Sequence, residues 1–226
     1  MSTIAALLPM RHNSERVPGK NYRMFAGVPL YHHIMHSLME CNRINQIVID
    51  TDSEFIIEDA NRAFPEVRII RRPDRLLGGH VSMNDVLLHD VEVYRADFYL
   101  QTHSTNPLLK PQTLASAIDR FVDQYPRHDS LFSVTRRHIR LWDKDGLPIN
   151  HNPAKLLRTQ DQPPVFEENS NIYMFTAENL KRCKNRISDR PMLFEIVQDE
   201  AWDIDEESDF TIAEYLHRQQ QGGLGF

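Results

Sequence analysis

Three cationic and two hydrogen-bonding side chains stand close together near the start of the chain. They are Arg11, Ser14, Arg16, Lys20 and Asn21, and they follow a short, continuous apolar run that is typical of a buried strand. Cations and side-chain donors in one loop suit a polyphosphate. Proteins of the α/β class bind ligands at the carboxyl ends of their strands. The loop therefore predicts a site for a nucleoside triphosphate.

Two carboxylates near the other end of the chain have the spacing of a metal site. Asp203 and Asp205 are two residues apart, so their side chains face the same way in an extended segment. Mg²⁺ is usually held by one or two carboxylates together with substrate phosphates and water. Asp50 and Asp52 have the same spacing, so the residues alone leave two candidate metal sites.

Two further segments place polar side chains at predicted strand ends. Arg72 and Ser82 combine a cation with a hydroxyl at the start of a helix, where an anion or a ribose would gain the helix-end donors. The stretch 101–106, which begins with Gln101, is dense in amides and hydroxyls and suits a polyhydroxylated ligand. Each segment taken alone is also compatible with an ordinary helix cap or a hydrogen-bonded turn.

The elements that must position these side chains alternate between strand-like and helix-like patterns as far as residue 135. This alternation predicts right-handed βαβ units and a mainly parallel sheet in an α/β fold. The stretch 136–168 breaks the pattern and contains Asp145-Gly146, a hairpin turn signal. We interpret it as an inserted hairpin and loop that leaves the sheet and forms a subunit contact or a lid. A solvated loop is the alternative.

Length and composition set the class of protein. The chain has 226 residues, which suits a single domain over 1–226, with 41% hydrophobic and 26% charged residues. The net charge of −6 argues against a duplex nucleic-acid binder. The N-terminus lacks a signal-peptide pattern, and no apolar stretch approaches the roughly 20 residues that span a bilayer. We therefore expect a cytoplasmic protein that binds neither nucleic acid nor membranes.

Taken in order, these segments resemble the cytidylyltransferases that activate acidic sugars, most closely the CMP-N-acylneuraminate (sialic acid) synthetases. CMP-Kdo synthetases are more distant members of that group. The resemblance runs from residue 4 to about residue 215. Its most specific part is the signature Pro-x-Arg-x-x-Ser-x-Arg-x-Pro-x-Lys-Asn, which is met by Pro9, Arg11, Ser14, Arg16, Pro18, Lys20 and Asn21.

The resemblance implies a Rossmann-like, three-layer α/β nucleotidyltransferase whose arm, 136–168, pairs two subunits in a homodimer. The implied reaction joins CTP to a 2-keto sugar acid, releases pyrophosphate and uses Mg²⁺. Arg11 and Lys20 would neutralise the triphosphate, with Asp205 as a third catalytic residue. Ser14, Arg16, Asn21, Arg72 and Ser82 would complete the nucleotide site. Asp203 and Asp205 would hold the metal ion, and Gln101, Asn169 and Tyr173 would contact the sugar.

The chain departs from the family pattern on the side that faces the sugar. Glu167 and Glu168 stand where neuraminate enzymes tend to carry Arg-Pro, and the loop after Gln101 is one residue longer. The acid is therefore left open among N-acetylneuraminic, Kdo, pseudaminic and legionaminic acids. Two other functions are compatible with the residues. One is a metal-dependent glycosyltransferase that uses Asp50 and Asp52, and the other is a non-catalytic nucleotide- or sugar-sensing module.

Overall fold

The computed structural model of the protein describes residues 2–222. Nine strands and six α-helices make up its regular structure. The strands are β1 (Ile4–Met10), β2 (Met24–Phe25), β3 (Val28–Pro29), β4 (Gln46–Thr51), β5 (Arg68–Arg71), β6 (Phe98–Gln101), β7 (Ser130–Arg137), β8 (Val165–Phe175) and β9 (Pro191–Glu195). The helices are α1 (Leu30–Glu40), α2 (Glu54–Ala63), α3 (Met83–Val93), α4 (Pro111–Gln124), α5 (Ala177–Cys183) and α6 (Glu207–Gly222).

Seven strands form one sheet in the order β5-β4-β1-β6-β8-β7-β9, and β2 and β3 form a separate ribbon. Strand β8 is antiparallel to both of its neighbours, whereas the other pairs in the large sheet are parallel. The prediction of a mainly parallel α/β sheet is confirmed. Six strands thus end at the same edge, which is where loops from β1, β4 and β6 meet.

Helices cover both faces of the sheet. Strand β1 is buried along its whole length, and its successive side chains alternate between two hydrophobic cores. Ala6 and Leu8 join the core beneath α1, α2 and α4, while Ala5 and Leu7 join the core beneath α3 and α5. This is the three-layer arrangement that the continuous apolar run of β1 predicts.

The inserted segment is shorter than predicted. Strands β7 and β8 pair from Ser130 opposite Phe175 out to Arg137 opposite Val165, so both ends of the stretch 136–168 belong to the sheet. The part that leaves the sheet is 138–164. Within it, Trp142 bridges Pro148 around the turn at Gly146, which is the hairpin turn that the sequence predicts. In residues 165–168 apolar and polar residues do not alternate, since Glu167 directly follows Phe166 and is followed by a second exposed glutamate, Glu168. The sequence pattern therefore does not predict that this stretch belongs to a strand.

A third, smaller core fastens the loop after β1 to the C-terminal helix. Val17 from that loop packs with Phe25, Ile204 and Phe210. The contact brings two segments nearly 190 positions apart in sequence to one place, because their apolar side chains are buried together. None of the helices in the described range 2–222 is both long enough and apolar enough to cross a membrane.

Candidate functional site

A cleft of about 520 Å³ opens at the carboxyl edge of the sheet. It is lined on one side by the loop after β1 and on the other by residues near the ends of β6 and β8. Eight of the predicted site residues line it directly: Arg11, Ser14, Arg16, Lys20, Asn21, Arg72, Asp203 and Asp205. We call the side formed by these eight residues the β1 rim. We call the part of the lining formed by His103, Ser170 and Arg186 the β8 rim, and Gln101 and Tyr173 lie behind it.

Backbone geometry holds the loop of the β1 rim in place. Gly19 has φ 64°, in the left-handed region that favours glycine, and a Cβ there would come within 3.0 Å of the Tyr22 ring. The turn that follows carries Lys20 and Asn21. The Asn21 side chain donates to the Arg11 carbonyl over 2.6 Å and accepts from the Ser104 hydroxyl over 2.6 Å. Asn21 therefore links the loop after β1 to the loop after β6.

The predicted catalytic cation and the predicted metal-binding carboxylate lie together. The Lys20 ammonium donates to the Ile204 carbonyl and lies 3.9 Å from the Asp205 carboxylate. Arg16 donates to the same carboxylate over 2.5 Å. Burial lowers the pKa of Lys20, and the nearby Asp203 and Asp205 charges oppose that shift. The β1 rim thus holds the cations of Arg16 and Lys20 next to the Asp205 carboxylate.

Asp203 and Asp205 do face the cleft from one side, as their spacing predicts. The residue between them, Ile204, points the other way and is completely buried in the third core. Burial raises the pKa of Asp203, and its Oδ1 atom is buried without a hydrogen-bond partner among the described residues. An unsatisfied buried carboxylate oxygen beside a second carboxylate is the donor set that Mg²⁺ takes. The residues present fit that ion.

Arg72 reaches the β1 rim from the loop after β5 and is held by a buried carboxylate. Its Nε donates to Asp50, and both side chains are almost fully buried. Asp90 of α3 lies behind this pair, and burial together with the Asp50 charge raises the pKa of Asp90 to about 9. Neither Asp90 oxygen has a donor in the described structure. Burial and the nearby Asp50 charge thus favour the protonated form of Asp90.

The alternative metal site at the end of β4 does not form. Asp50 is bound to Arg72 and is 1% exposed. Asp52 instead accepts from the His12 backbone N–H over 2.7 Å. Since these two carboxylates are committed to separate partners, the arrangement argues against a glycosyltransferase that depends on Asp50 and Asp52.

Ser82 lies beside the cleft rather than in its lining. Its hydroxyl accepts from the Asp85 backbone N–H over 3.2 Å, so it caps α3, and it also donates to the Asp85 carboxylate over 2.7 Å. Its neighbours Gly79 and Met83 line the cleft. In this structure Ser82 orders the helix end and does not face the cavity.

The three predicted sugar contacts lie just beneath the β8 rim. The Tyr173 hydroxyl donates to Glu168, and the Gln101 side-chain amide donates to the Thr102 carbonyl over 2.9 Å. Asn169 accepts from Ser133 over 2.5 Å and donates to Thr135 over 3.0 Å. None of the three side chains is itself among the lining residues. They support the side chains that are.

A bulge in β8 produces this arrangement. Between Phe132 opposite Tyr173 and Val134 opposite Glu168, strand β8 contains four residues where β7 contains one. Ser170 lies in this bulge with φ 57° and faces the cleft. Bulges bend a strand and redirect side chains, and they are common beside active sites. The sequence contains no glycine that would signal a left-handed residue here.

The residue that sequence reasoning missed is Arg186. It comes from the loop between α5 and β9, lines the cleft, and stacks its guanidinium 3.5 Å from the centre of the Tyr173 ring. Its Nη1 donates to the Gln101 side-chain oxygen. His103 is a second missed residue, and burial beside Arg186 and Lys20 lowers its pKa to about 3. The segment 181–190 contains four other cations, so nothing local in the sequence distinguishes Arg186 from its neighbours.

Comparisons with known proteins agree with this geometry. The cytidylyltransferase family model matches residues 5–221. N-acylneuraminate cytidylyltransferase A of Danio rerio is 29% identical over 218 residues, which cover 93% of this chain and 50% of that protein. The chain thus spans about half the length of that relative. CMP-N,N'-diacetyllegionaminic acid synthase of Legionella pneumophila is 26% identical over 231 residues, which cover 98% of this chain and 99% of that protein.

The fold also matches a solved structure. The CTP complex of CMP:2-keto-3-deoxy-manno-octonic acid synthetase superposes with a TM-score of 0.73 at 16% identity, covering 97% of this chain and all of that one. At this identity the likeness concerns the fold.

Proposed function

We propose that this chain, which belongs to the cytidylyltransferase family, activates a 2-keto sugar acid with CTP and releases CMP-sugar and pyrophosphate. The observation that carries the proposal is one cleft with two chemically different rims. The β1 rim presents Arg11, Lys20 and the Asp203/Asp205 pair, and the β8 rim presents imidazole, hydroxyl and guanidinium groups. A triphosphate suits the first rim and a polyhydroxylated acid suits the second.

The proposed reaction is a displacement at the α-phosphorus. The anomeric hydroxyl oxygen of the sugar forms a bond to that phosphorus, and the bond from the phosphorus to the α,β-bridging oxygen breaks. The hydroxyl proton is released, and the bonding electrons leave with pyrophosphate. Arg11 and Lys20 oppose the charge that builds on the leaving group, which is electrostatic stabilisation by groups already in place.

Asp203 and Asp205 are the residues that would hold Mg²⁺. The ion would supply positive charge that offsets the oxygens of the triphosphate. In the protein as described, Asp205 is paired with Arg16 and Lys20. That ion pair keeps the carboxylate and the two cations at the β1 rim, where each faces the cleft. Arg72, held by Asp50, adds a further fixed cation for the nucleotide.

The names of the relatives support an acidic sugar as acceptor. Those of Danio rerio and Legionella pneumophila carry N-acylneuraminate and N,N'-diacetyllegionaminic acid in their names. We extend the class, an acidic 2-keto sugar, to this chain.

We also propose a cytoplasmic homodimer joined through the segment 138–164. This segment carries large apolar side chains in solvent, among them Trp142, Leu147, Ile149 and Leu156, the last 87% exposed. Several large apolar side chains exposed in one segment are typical of an association surface. Light scattering on the purified protein tests the dimer, and the double variant Leu147→Glu/Ile149→Glu should give a monomer.

The cysteines support the proposed cytoplasmic location. Both of them are free, as is usual in a reducing compartment.

A pyrophosphate-release assay tests the proposed function. CTP is offered with N-acetylneuraminic, N,N'-diacetyllegionaminic and 2-keto-3-deoxy-manno-octonic acids in the presence of Mg²⁺, with UTP and ATP as nucleotide controls. We expect release with CTP and at least one acid, and its loss when Mg²⁺ is chelated. Release of a nucleoside diphosphate from a sugar nucleotide instead would identify a glycosyltransferase. Absence of release with every acid would contradict the proposal.

A further inference from the structure

Arg186 is placed in the cleft by a loop with several fixed points. Its backbone N–H donates to the Asn84 side chain over 3.1 Å, which ties it to α3. Two residues later the Ser188 N–H donates to the Ser130 hydroxyl over 2.9 Å, which ties the loop to β7. Lys184 ends α5 with φ 51° and turns the chain toward the cleft. The position of Arg186 is therefore set by its loop.

The guanidinium of Arg186 is held flat against a supporting surface. The Tyr173 ring lies under it at 3.5 Å, and Gln101 accepts from one of its terminal nitrogens. The Tyr173 hydroxyl is in turn bound to Glu168, which keeps the ring in place. Stacking on one face and one hydrogen bond at an edge leave further N–H groups of the guanidinium for a ligand.

Arg186 also differs from the other lining cations in its charge environment, since those are either paired with a carboxylate or, in the case of Arg11, exposed to solvent. Arg16 and Lys20 share the Asp205 carboxylate, and Arg72 is bound to Asp50. No carboxylate of the described residues 2–222 lies within 4.0 Å of the Arg186 guanidinium. Burial lowers the pKa of Arg186, so the charge is partly removed from water without an ion pair. Charges withdrawn from water are normally paired, and this half-buried one lines a cavity.

We propose that Arg186 is the residue that binds the carboxylate of the acceptor and so selects an acidic sugar. This inference rests on the proposed function and names the group that recognises its acidic substrate. A carboxylate is planar and accepts two parallel N–H bonds from a guanidinium. Arg186 lies on the β8 rim, whereas the other lining arginines and Lys20 lie on the β1 rim.

The proposal also accounts for the two glutamates in β8. Glu167 pairs with Arg137 over 2.7 Å at the outer end of the β7–β8 ladder. Glu168 is occupied by the Tyr173 hydroxyl. Neither glutamate excludes an acid from the cleft, because the cation that the acid requires comes from Arg186 in the loop after α5.

The test compares acid binding by wild type, Arg186→Gln and Arg186→Lys, with Lys181→Gln as a matched control at an exposed site on α5. Each full-length protein is first loaded with a CTP analogue that carries a methylene group between the α- and β-phosphates. Calorimetry then measures binding of the three sugar acids and of their methyl esters. Since the ester lacks the negative charge, the ratio of the two dissociation constants reports carboxylate recognition.

We expect Arg186→Gln to weaken binding of the preferred acid by about 10- to 100-fold, the scale of one charged hydrogen-bonding partner. Its preference for acid over ester should disappear, while binding of the CTP analogue stays within about twofold of wild type. Arg186→Lys keeps the charge and should retain the preference with weaker binding. If the Gln variant does not bind the CTP analogue, Arg186→Met serves as a second neutral variant.

Equal losses for acid and ester, or an unchanged preference in the neutral variant, would overturn the assignment. So would a wild-type protein that binds none of the acids. If wild type binds an acid through Arg186 but releases no pyrophosphate from CTP, the carboxylate site stands and the proposed reaction fails. The two proposals are thereby separated by one pair of measurements.

Discussion

The two rims of the cleft carry charge in different ways. On the β1 rim, three of the four lining cations are paired with carboxylates: Arg16 and Lys20 with Asp205, and Arg72 with Asp50. The fourth, Arg11, is exposed to solvent and has no carboxylate within 4.0 Å among the described residues. On the β8 rim, Arg186 contacts the Tyr173 ring and the Gln101 side-chain oxygen. Glu168, behind the rim, accepts a hydrogen bond from the Tyr173 hydroxyl. Most cations of the β1 rim are held in ion pairs, whereas the β8 rim holds one half-buried cation without a carboxylate partner among the described residues.

This difference suggests two modes of ligand binding. A triphosphate and Mg²⁺ bring both signs of charge, so they can exchange partners with the paired groups of the β1 rim without leaving an isolated charge. A sugar acid brings a single negative charge, and the β8 rim offers a single positive one. In both cases binding is favoured when each buried charge has a partner of opposite charge in the complex.

Asp205→Asn is the strongest challenge to the paired β1 rim. The change removes the carboxylate that both Arg16 and Lys20 contact and one of two carboxylates that would hold Mg²⁺. Pyrophosphate release should fall by about 10³-fold, the upper range for losing one charged group in an active site. Circular dichroism should be unchanged. Glu207→Gln, an exposed change in the same segment that breaks a pair with Arg23, is the control. A wild-type rate in Asp205→Asn would remove the metal assignment.

Lys20→Met tests the positive half of the same pair. The apolar stem is kept and the ammonium is lost, so the triphosphate loses one fixed cation. We expect turnover to fall by at least about 10²-fold, with a smaller effect on binding of the sugar acid. Steady-state kinetics with each substrate varied in turn measures both. If kcat stays at the wild-type value, the loop after β1 takes no part in the chemistry.

Asp90→Asn tests whether Asp90, behind the Arg72–Asp50 pair, is protonated in the folded protein. The folded protein keeps a proton on Asp90 up to about pH 9, whereas the unfolded chain releases it near pH 4. The free energy of unfolding of wild type should therefore fall as the pH rises between those values.

In Asp90→Asn this contribution is absent, so the slope should be shallower by up to about 1.4 kcal/mol per pH unit. Urea denaturation at acidic, neutral and alkaline pH measures the two slopes. Parallel curves would mean that Asp90 is ionised in the folded state.

Glu168→Gln makes the smallest change and sharpens the comparison on the β8 rim. The variant removes a negative charge near Arg186 and leaves an amide oxygen to accept from Tyr173. The KM for the sugar acid should fall by about threefold, the scale of one partly screened charge interaction. Glu167→Gln, whose partner is Arg137 on the outer side, should leave that KM unchanged. A higher KM in Glu168→Gln would show that Glu168 binds the acceptor directly.

Much of the β1 rim was predictable because its residues are close together in sequence. The loop from Arg11 to Asn21 follows a buried strand, and Asp203 and Asp205 face one way in an extended segment. Local spacing is sufficient for such features. The alternation of strand-like and helix-like patterns predicted the mainly parallel sheet, and Asp145-Gly146 predicted the turn at Gly146. Arg72, predicted to bind the nucleotide, lines the cleft.

The β8 rim depends on pairings that spacing does not encode. The extra residues in β8 are visible only once Val134 is paired with Glu168, and the sheet continues to Val165 although that part of β8 is largely exposed. For the same reason the segment that leaves the sheet, 138–164, is shorter at both ends than the predicted 136–168. Ser82 and Asn169, both predicted to contact ligands, are occupied by helix-cap and bulge hydrogen bonds.

The sequence by itself determined the α/β class, the cationic loop after β1 and the carboxylate pair, because hydrophobic period and short spacing are local properties. Only the tertiary structure decided which groups are paired and which are free. Asp50 became a support for Arg72 instead of a metal ligand, and Arg186 entered the cleft without a carboxylate partner among the described residues. Charge pairing is a matter of distances between segments far apart in the chain, and those distances exist only in the folded protein.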